Sequence, residues 1–280
     1  MKLQLDTTVQ IHRLMNPPDD QVNSALTALR GEAESVSAST YSKKEFAFSL
    51  IRDCCTMLAR VHRTKSLKDA LDFVDTYGCK KIRFRPRMLS VFWKFMITET
   101  IRGDLGKGDP SQRDRILGQK FEQFLRVCIP AFWESFEEGV ELPLQDRTKC
   151  PFAQMAPIDN GATFDFTTKR KCKPSCNCAL PNLIRGERKR ALKLLERLRG
   201  LEGNRKTDEL KQIERVVESF FERTNEEICY EMCNQGIGDL IIALETLPDR
   251  TLVTTNAKES DVISPAIEQE YVVLPLRGKN

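Results

Sequence analysis

LQLDTTVQI, residues 3–11, decides the fold: Leu3 to Leu5 form a short apolar run that ends on Asp6, and Val9, Ile11 and Leu14 then recur at helical spacing. Strand, acid and helix follow one another within a dozen positions. Ser35 to Thr40 alternates as a short strand would, Leu252 to Thr255 reads as another, and Tyr271 to Leu274 as a closing one. Strands separated by helices imply a largely parallel sheet with helices on its faces, an α/β fold.

The chain has 280 residues, 40% of them hydrophobic and 30% charged, the balance of a globular protein with one large domain or two ordinary ones. No run approaches the ~20 apolar residues of a membrane span. The opening MKLQLDTTVQ lacks the hydrophobic region of a signal peptide. A cytoplasmic protein with no membrane partner is expected. Lys and Arg total 44 against 40 Asp and Glu, and the net charge of +4 does not by itself imply a polyanionic partner. The basic residues cluster, however, in 80–87, 169–173 and 185–199.

Between the first and last strands the pattern is mainly helical. Val22 to Leu29, Ser42 to Arg60 and Leu67 to Val74 read as helices, Ile82 and Phe84 as a strand between basic neighbours, and Met88 to Ile101 as an aromatic-rich helix. At Gly103 the chain changes character, with GDLGKGDPSQ carrying Gly and Pro at turn-like spacing. Phe121 to Phe136 is helical but interrupted at Pro130. Leu142 to Asn182 is loop-like. Arg188 to Leu201 and Glu209 to Met232 suit a helical hairpin with Leu210, Ile213, Val217, Phe220 and Phe221 on one side, a stripe best read as packing.

Four acids stand where strands or loops hand over to helices: Asp6, Glu45, Asp239 and Glu259. In open α/β sheets ligands bind beyond the carboxyl ends of the strands, so such acids can converge from distant positions. Carboxylates forced together repel, and a divalent cation relieves the cost. Oxygen ligands favour Mg²⁺ or Mn²⁺ over zinc. Each acid also has a structural reading. Asp6 suits a helix N-cap, Ser42 with Glu45 fits the Ser-x-x-Glu capping box, and Asp239 lies in a first helical turn, where the dipole favours negative charge.

Taken together the segments resemble the PIN-domain nucleases, with VapC-like local wording. LQLDTTVQI is similar to the family's first strand with its leading aspartate, although Thr8 stands where the family usually has asparagine. STYSKKEF resembles the stretch carrying the helix glutamate, GIGDLIIALE the glycine-preceded aspartate motif, and LVTTNAKESDVI the late strand followed by Thr-x-Asn and an acid. Asp261 competes with Glu259 for that last role. The resemblance implies a three-layer fold split in sequence, with residues 1–102 and 227–280 forming the PIN-like unit and 103–226 a helical insertion that the small toxins lack. It implies hydrolysis of phosphodiester bonds, most often in RNA, with one or two Mg²⁺ or Mn²⁺ ions. Asp6 and Asp239 would be principal ligands, Glu45 a ligand or water-orienting base and Glu259 an outer or second-metal ligand. Thr255 and Asn256 would hold an acid, a water or a phosphate. Homodimers are common among such relatives, and the insertion offers a place for a protein partner.

Cys150, Cys172, Cys176 and Cys178 are four of ten cysteines and share one loop-rich region. Four thiolates can close a structural zinc site that staples such a loop; free or redox-active thiols and an iron–sulfur cluster are the alternatives. Lys169, Arg170 and Lys171 beside that loop, with Arg185 and Arg188 on the adjoining helix, could neutralise phosphates and guide a strand toward the acids, or simply form a solvated face. A metal-dependent endonuclease is the leading expectation. A catalytically weak PIN scaffold, working as a zinc-stabilised adaptor for nucleic acid or protein, is the other.

Overall fold

Strand β1 (Lys2–Leu5) is buried on both faces, Leu3 and Leu5 on one and Gln4 on the other, as a central strand must be. It pairs in parallel with β2 (Ser35–Ala38) and with β5 (Arg250–Thr254), placing Leu3 between Val36 and Thr251. A last parallel strand, β6 (Tyr271–Val273), adds outside β5. The order is therefore β2-β1-β5-β6. The computed structural model describes residues 1–16, 20–78, 83–98, 109–150, 156–165, 178–202, 206–222 and 237–275. The fold is α/β with a four-stranded parallel sheet and mostly helical content.

The chain leaves β1 in one direction to form β2 and returns on its other side to form β5. Such a reversal opens a crevice at the carboxyl ends of the two adjacent strands. Helix α1 (Thr7–Met15) starts directly beyond β1, α11 (Gly238–Glu245) precedes β5 and α12 (Ala257–Ala266) follows it. Helix α2 (Gln21–Gly31) precedes β2, and between β2 and α11 come α3 (Thr40–Phe46), a π-helical turn (Ala47–Ile51), α4 (Arg52–Thr64), α5 (Leu67–Gly78) and α6 (Phe84–Thr98). Next are α7 (Pro110–Glu138), the small antiparallel pair β3 (Ile158–Asp159) and β4 (Phe164–Asp165), α8 (Leu180–Gly186), α9 (Arg188–Arg199) and α10 (Asp208–Glu222).

The stretch 103–226 shares its hydrophobic interior with the rest of the molecule. Phe121, Leu125 and Phe136 of α7 join Phe46, Leu58 and Phe95 in one core, while Leu194, Leu198, Ile213 and Val217 join Leu240, Ile241 and Leu252 in another. α7 lies so close to the α4–α5 connection that a methyl group at Gly118 would overlap the Lys65 carbonyl. The backbone after α7 also runs along the outer edge of β2. Glu141 N–H donates to Val36 O at 2.9 Å, Gln145 N–H to Ala38 O at 2.9 Å, and Thr40 N–H to Gln145 O at 2.8 Å. An edge strand is thereby covered.

Three local expectations are corrected. Phe84 begins α6 rather than sitting in a strand, with its ring edge-on to Tyr77 at 4.9 Å; Ile82 lies outside the described residues. The basic neighbours Arg83, Arg85 and Arg87 reach Glu209, Asp75 and the buried Asp53. α7 runs through Pro130 without a break, because Ile129, Phe132, Trp133 and Phe136 keep packing beyond it. The proline removes one intrahelical hydrogen bond, which the continued burial offsets. The N-cap of α3 is Ser39, whose hydroxyl accepts the Ser42 N–H at 3.0 Å, so Ser42 and Glu45 are not a capping box.

Candidate functional site

Asp6 is the first residue past β1 and holds the N-cap position of α1, yet its side chain makes no capping hydrogen bond. Its Oδ2 instead accepts from two hydroxyls, Thr8 Oγ1 at 2.8 Å and Thr254 Oγ1 at 2.7 Å. Each hydroxyl is itself an acceptor: Thr255 N–H points to Thr8 Oγ1 at 3.4 Å, and Asn256 N–H to Thr254 Oγ1 at 3.0 Å. A hydroxyl that accepts a backbone N–H is left to donate its proton, here to Asp6. The turn after β5 thus locks the carboxylate from one side. Oδ1, on the other side, is buried with no hydrogen-bond partner among the described residues.

Three further acids surround this group. Glu45 projects from α3 and accepts from Thr7 Oγ1 at 3.1 Å. Asp239 opens α11, with Oδ2 accepting from Asn256 Nδ2 at 3.0 Å. Glu259, in the first turn of α12 and 7% exposed, accepts from Thr207 Oγ1 at 3.1 Å. Every acid is therefore oriented by a neutral hydroxyl or amide, and among the described residues none of the four forms an ion pair. Asp261, the rival to Glu259, lies on the surface and accepts from Tyr271 Oη at 3.1 Å.

Their charges act on one another. Burial, then the charges of Asp239 and Asp6, push the Glu45 carboxyl up to about 8. Burial, then Asp6 and Glu259, raise Asp239 to about 7, opposed by the Asn256 hydrogen bond and the charge of Arg83. Asp6 is raised by burial, against the pull of its two hydroxyl donors and of the nearby backbone N–H groups of Thr7 and Thr8. A small pocket lies between α11, β5 and α12, lined by Asp6, Asp239, Thr254, Ser260 and Ser264. Glu45 reaches the group only because residue 238 is glycine, since a methyl there would overlap Glu45 Oε1. Among the described residues no three His, Cys, Asp or Glu side chains stand at the separation of a preassembled metal cage.

The remaining candidates are distributed as follows. Thr255 and Asn256 belong to the turn that supports Asp6 and Asp239. Arg185 and Arg188 lie over the rings of Phe220 and Phe221, at 5.6 and 5.1 Å. Their helical neighbours are tied within the chain, Arg190 to Ile267 O and Gln269, Lys193 to Glu268, and Arg199 to Glu218. Lys169, Arg170, Lys171, Cys172 and Cys176 lie outside the described residues. Cys150 is buried and Cys178 half-buried, and the Ala179 N–H to Thr148 O bond of 2.6 Å draws the two ends of their loop together.

Sequence reading missed Thr7, Thr254 and Thr207 as supports, and Gly238 as the residue that admits Glu45. No family model, no curated protein and no solved structure matches this chain.

Proposed function

We propose that the protein is a PIN-like, metal-dependent nuclease acting on RNA, with its centre at the carboxyl ends of β1 and β5. The observation that carries this reading is the buried Asp6 Oδ1, which accepts no hydrogen bond among the described residues, beside two acids whose pKa values the Asp6 charge helps to raise. Buried acceptors without donors are rare in proteins and call for an explanation. A cation fits, because the donor set is all carboxylate oxygen, the chemistry of Mg²⁺ or Mn²⁺.

Asp6 and Asp239 would hold the ion, with Glu45 as a further ligand or as the base that orients water and Glu259 at the outer side. A bound ion supplies neutralisation of developing phosphate charge and a water of lowered pKa. The protein's part is orientation. Thr8 and Thr254 fix Asp6 by one oxygen and leave the other free; Asn256 does the same for Asp239. Burial and the charges of Asp239 and Asp6 push the Glu45 carboxyl up to about 8 in the ion-free centre, and a bound cation would lower it toward the ionised form that a ligand or base requires. Lys44 and Arg83, whose charges act on Glu45 and Asp239, favour an approaching polyanion. The apolar stripe that α6 exposes at Leu89, Trp93, Met96 and Ile97 supplies surface for the self-association this reading includes.

A second reading, a scaffold that binds nucleic acid or protein without cutting it, draws on the open spacing of the carboxylates. The two separate in one assay: cleavage of RNA and of single-stranded DNA in Mn²⁺ or Mg²⁺ by wild type beside Asp6→Asn and Asp239→Asn. Loss of cleavage in both variants is expected, and equal activity in all three preparations rejects the centre.

A further inference from the structure

Three of the four acids take their orienting donors from the segments that carry the sheet: Thr7, Thr8, Thr254 and Asn256. Glu259 alone is held from elsewhere. Its donor, Thr207, stands at the start of α10, in the stretch 103–226. Resting on the reading of the acids as a metal centre, we propose that Thr207 is a positioning residue of that centre, so that the middle stretch completes the site rather than decorating it.

The geometry gives Thr207 two tasks at once. Its Oγ1 accepts the Leu210 N–H at 3.2 Å and its carbonyl accepts the Lys211 N–H at 3.0 Å, the signature of a helix N-cap. The same hydroxyl donates its one proton to Glu259 Oε1 at 3.1 Å. Because the N–H occupies a lone pair, the proton is directed at the carboxylate. Glu259 is thereby fixed to a helix end while its charge still acts on Asp239. The helix bearing Thr207 cannot shift without moving Glu259, since Leu210, Ile213 and Val217 pack in the same core as Leu240 and Ile263. Groups that orient metal-bound carboxylates tune affinity for the ion. A ligand or protein that displaces α10 would therefore act on the centre through this hydroxyl.

The test uses the full chain and Mn²⁺ alone, with binding followed by electron paramagnetic resonance and folding by thermal melting. Thr207→Gly removes the donor while glycine remains an adequate cap, and Thr207→Val is the isosteric second variant. Both are expected to raise the Mn²⁺ concentration at half-saturation about tenfold, and Thr207→Ser to restore it. In a Glu259→Gln background Thr207→Gly should add nothing, because its route to the ion is already cut. A purely structural role would lower the melting temperature in both backgrounds and leave Mn²⁺ binding alone. Wild-type binding that Asp6→Asn abolishes but neither Thr207 variant weakens overturns this inference only. Binding that Asp6→Asn leaves intact overturns the metal reading beneath it as well.

Discussion

The carboxylate of Glu45 rests on the α-carbon of Gly238, the residue immediately before Asp239. Two acids from different helices thus meet across a position with no side chain. In an ordinary helix Gly→Ala stabilises by about 1 kcal/mol. Gly238→Ala is expected to fall short of that gain, because the added methyl takes the space of the Glu45 carboxylate and drives that side chain off its place. A melting curve and a cleavage assay check both effects; a stabilised, fully active variant would refute the contact.

Thr254→Val removes one of the two hydroxyls on Asp6 Oδ2 without changing the shape of β5. A hydrogen bond to a charged group contributes about 1.5–3 kcal/mol, and the loss should appear chiefly as weaker Mn²⁺ binding, since the Thr8 hydroxyl still holds the same oxygen. Calorimetric titration of wild type and variant measures it. Unchanged affinity would mean that Asp6 needs no second support.

The strand–acid–helix units could be read from the sequence because they are local: Leu3, Leu5 and Asp6 announce a strand and its end within a few positions. What could not be read is whatever depends on a neighbour from afar. Ser39 and Ser42 both begin plausible capping signatures, and the edge contact of Thr40 with Gln145, more than a hundred positions away, lies beside the one that wins. Pro130 looked like a break because the breaking rule is local, whereas the aromatic side chains beyond it pack on distant elements, Phe136 on Phe46, Trp133 under Lys43 and Phe132 near Lys94. Thr207 carries no mark of its role, because a threonine at a helix start is explained by capping alone.

Glu245, at the end of α11, has no exposed surface, and burial raises its carboxyl to about 7 against hydrogen bonds from Ser39 and Thr148. Between the ordinary value of 4.5 and about 7 the folded chain keeps a proton that the unfolded chain has released. Stability therefore falls as pH rises through that window and levels off above it. Glu245→Gln should flatten this slope in urea midpoints taken across the window, and a slope equal to that of wild type would count against the assignment.

Glu122 shows the reverse sign. Burial would raise its carboxyl, but hydrogen bonds from Lys65, His62 and Arg126 overcome that and hold it at about 2. The unfolded chain takes up a proton first as pH falls below 4.5, so the stabilisation is present above that pH and disappears toward about 2. Glu122→Gln is expected to cost ~1–3 kcal/mol near neutral pH, with the difference from wild type vanishing in acid. A constant difference at all pH values would rule this out.

We propose a structural zinc for the loop that the Thr148–Ala179 bond closes. Protein purified without chelator should then carry about one zinc per chain, held by thiolates, and Cys150→Ser or Cys178→Ser should lose it together with thermal stability. Elemental analysis that finds no zinc in the untreated wild type ends the proposal.

Asp6 and the Thr254 hydroxyl that orients it are 248 positions apart, and β1 cannot acquire its second partner strand until residues 250–254 exist. During synthesis β1 can reach β2 early but must wait for residues 250–254 before its other edge is paired. Chains halted before that point would carry Asp6 without its clasp, so competence is conferred only on molecules in which β5 has been made.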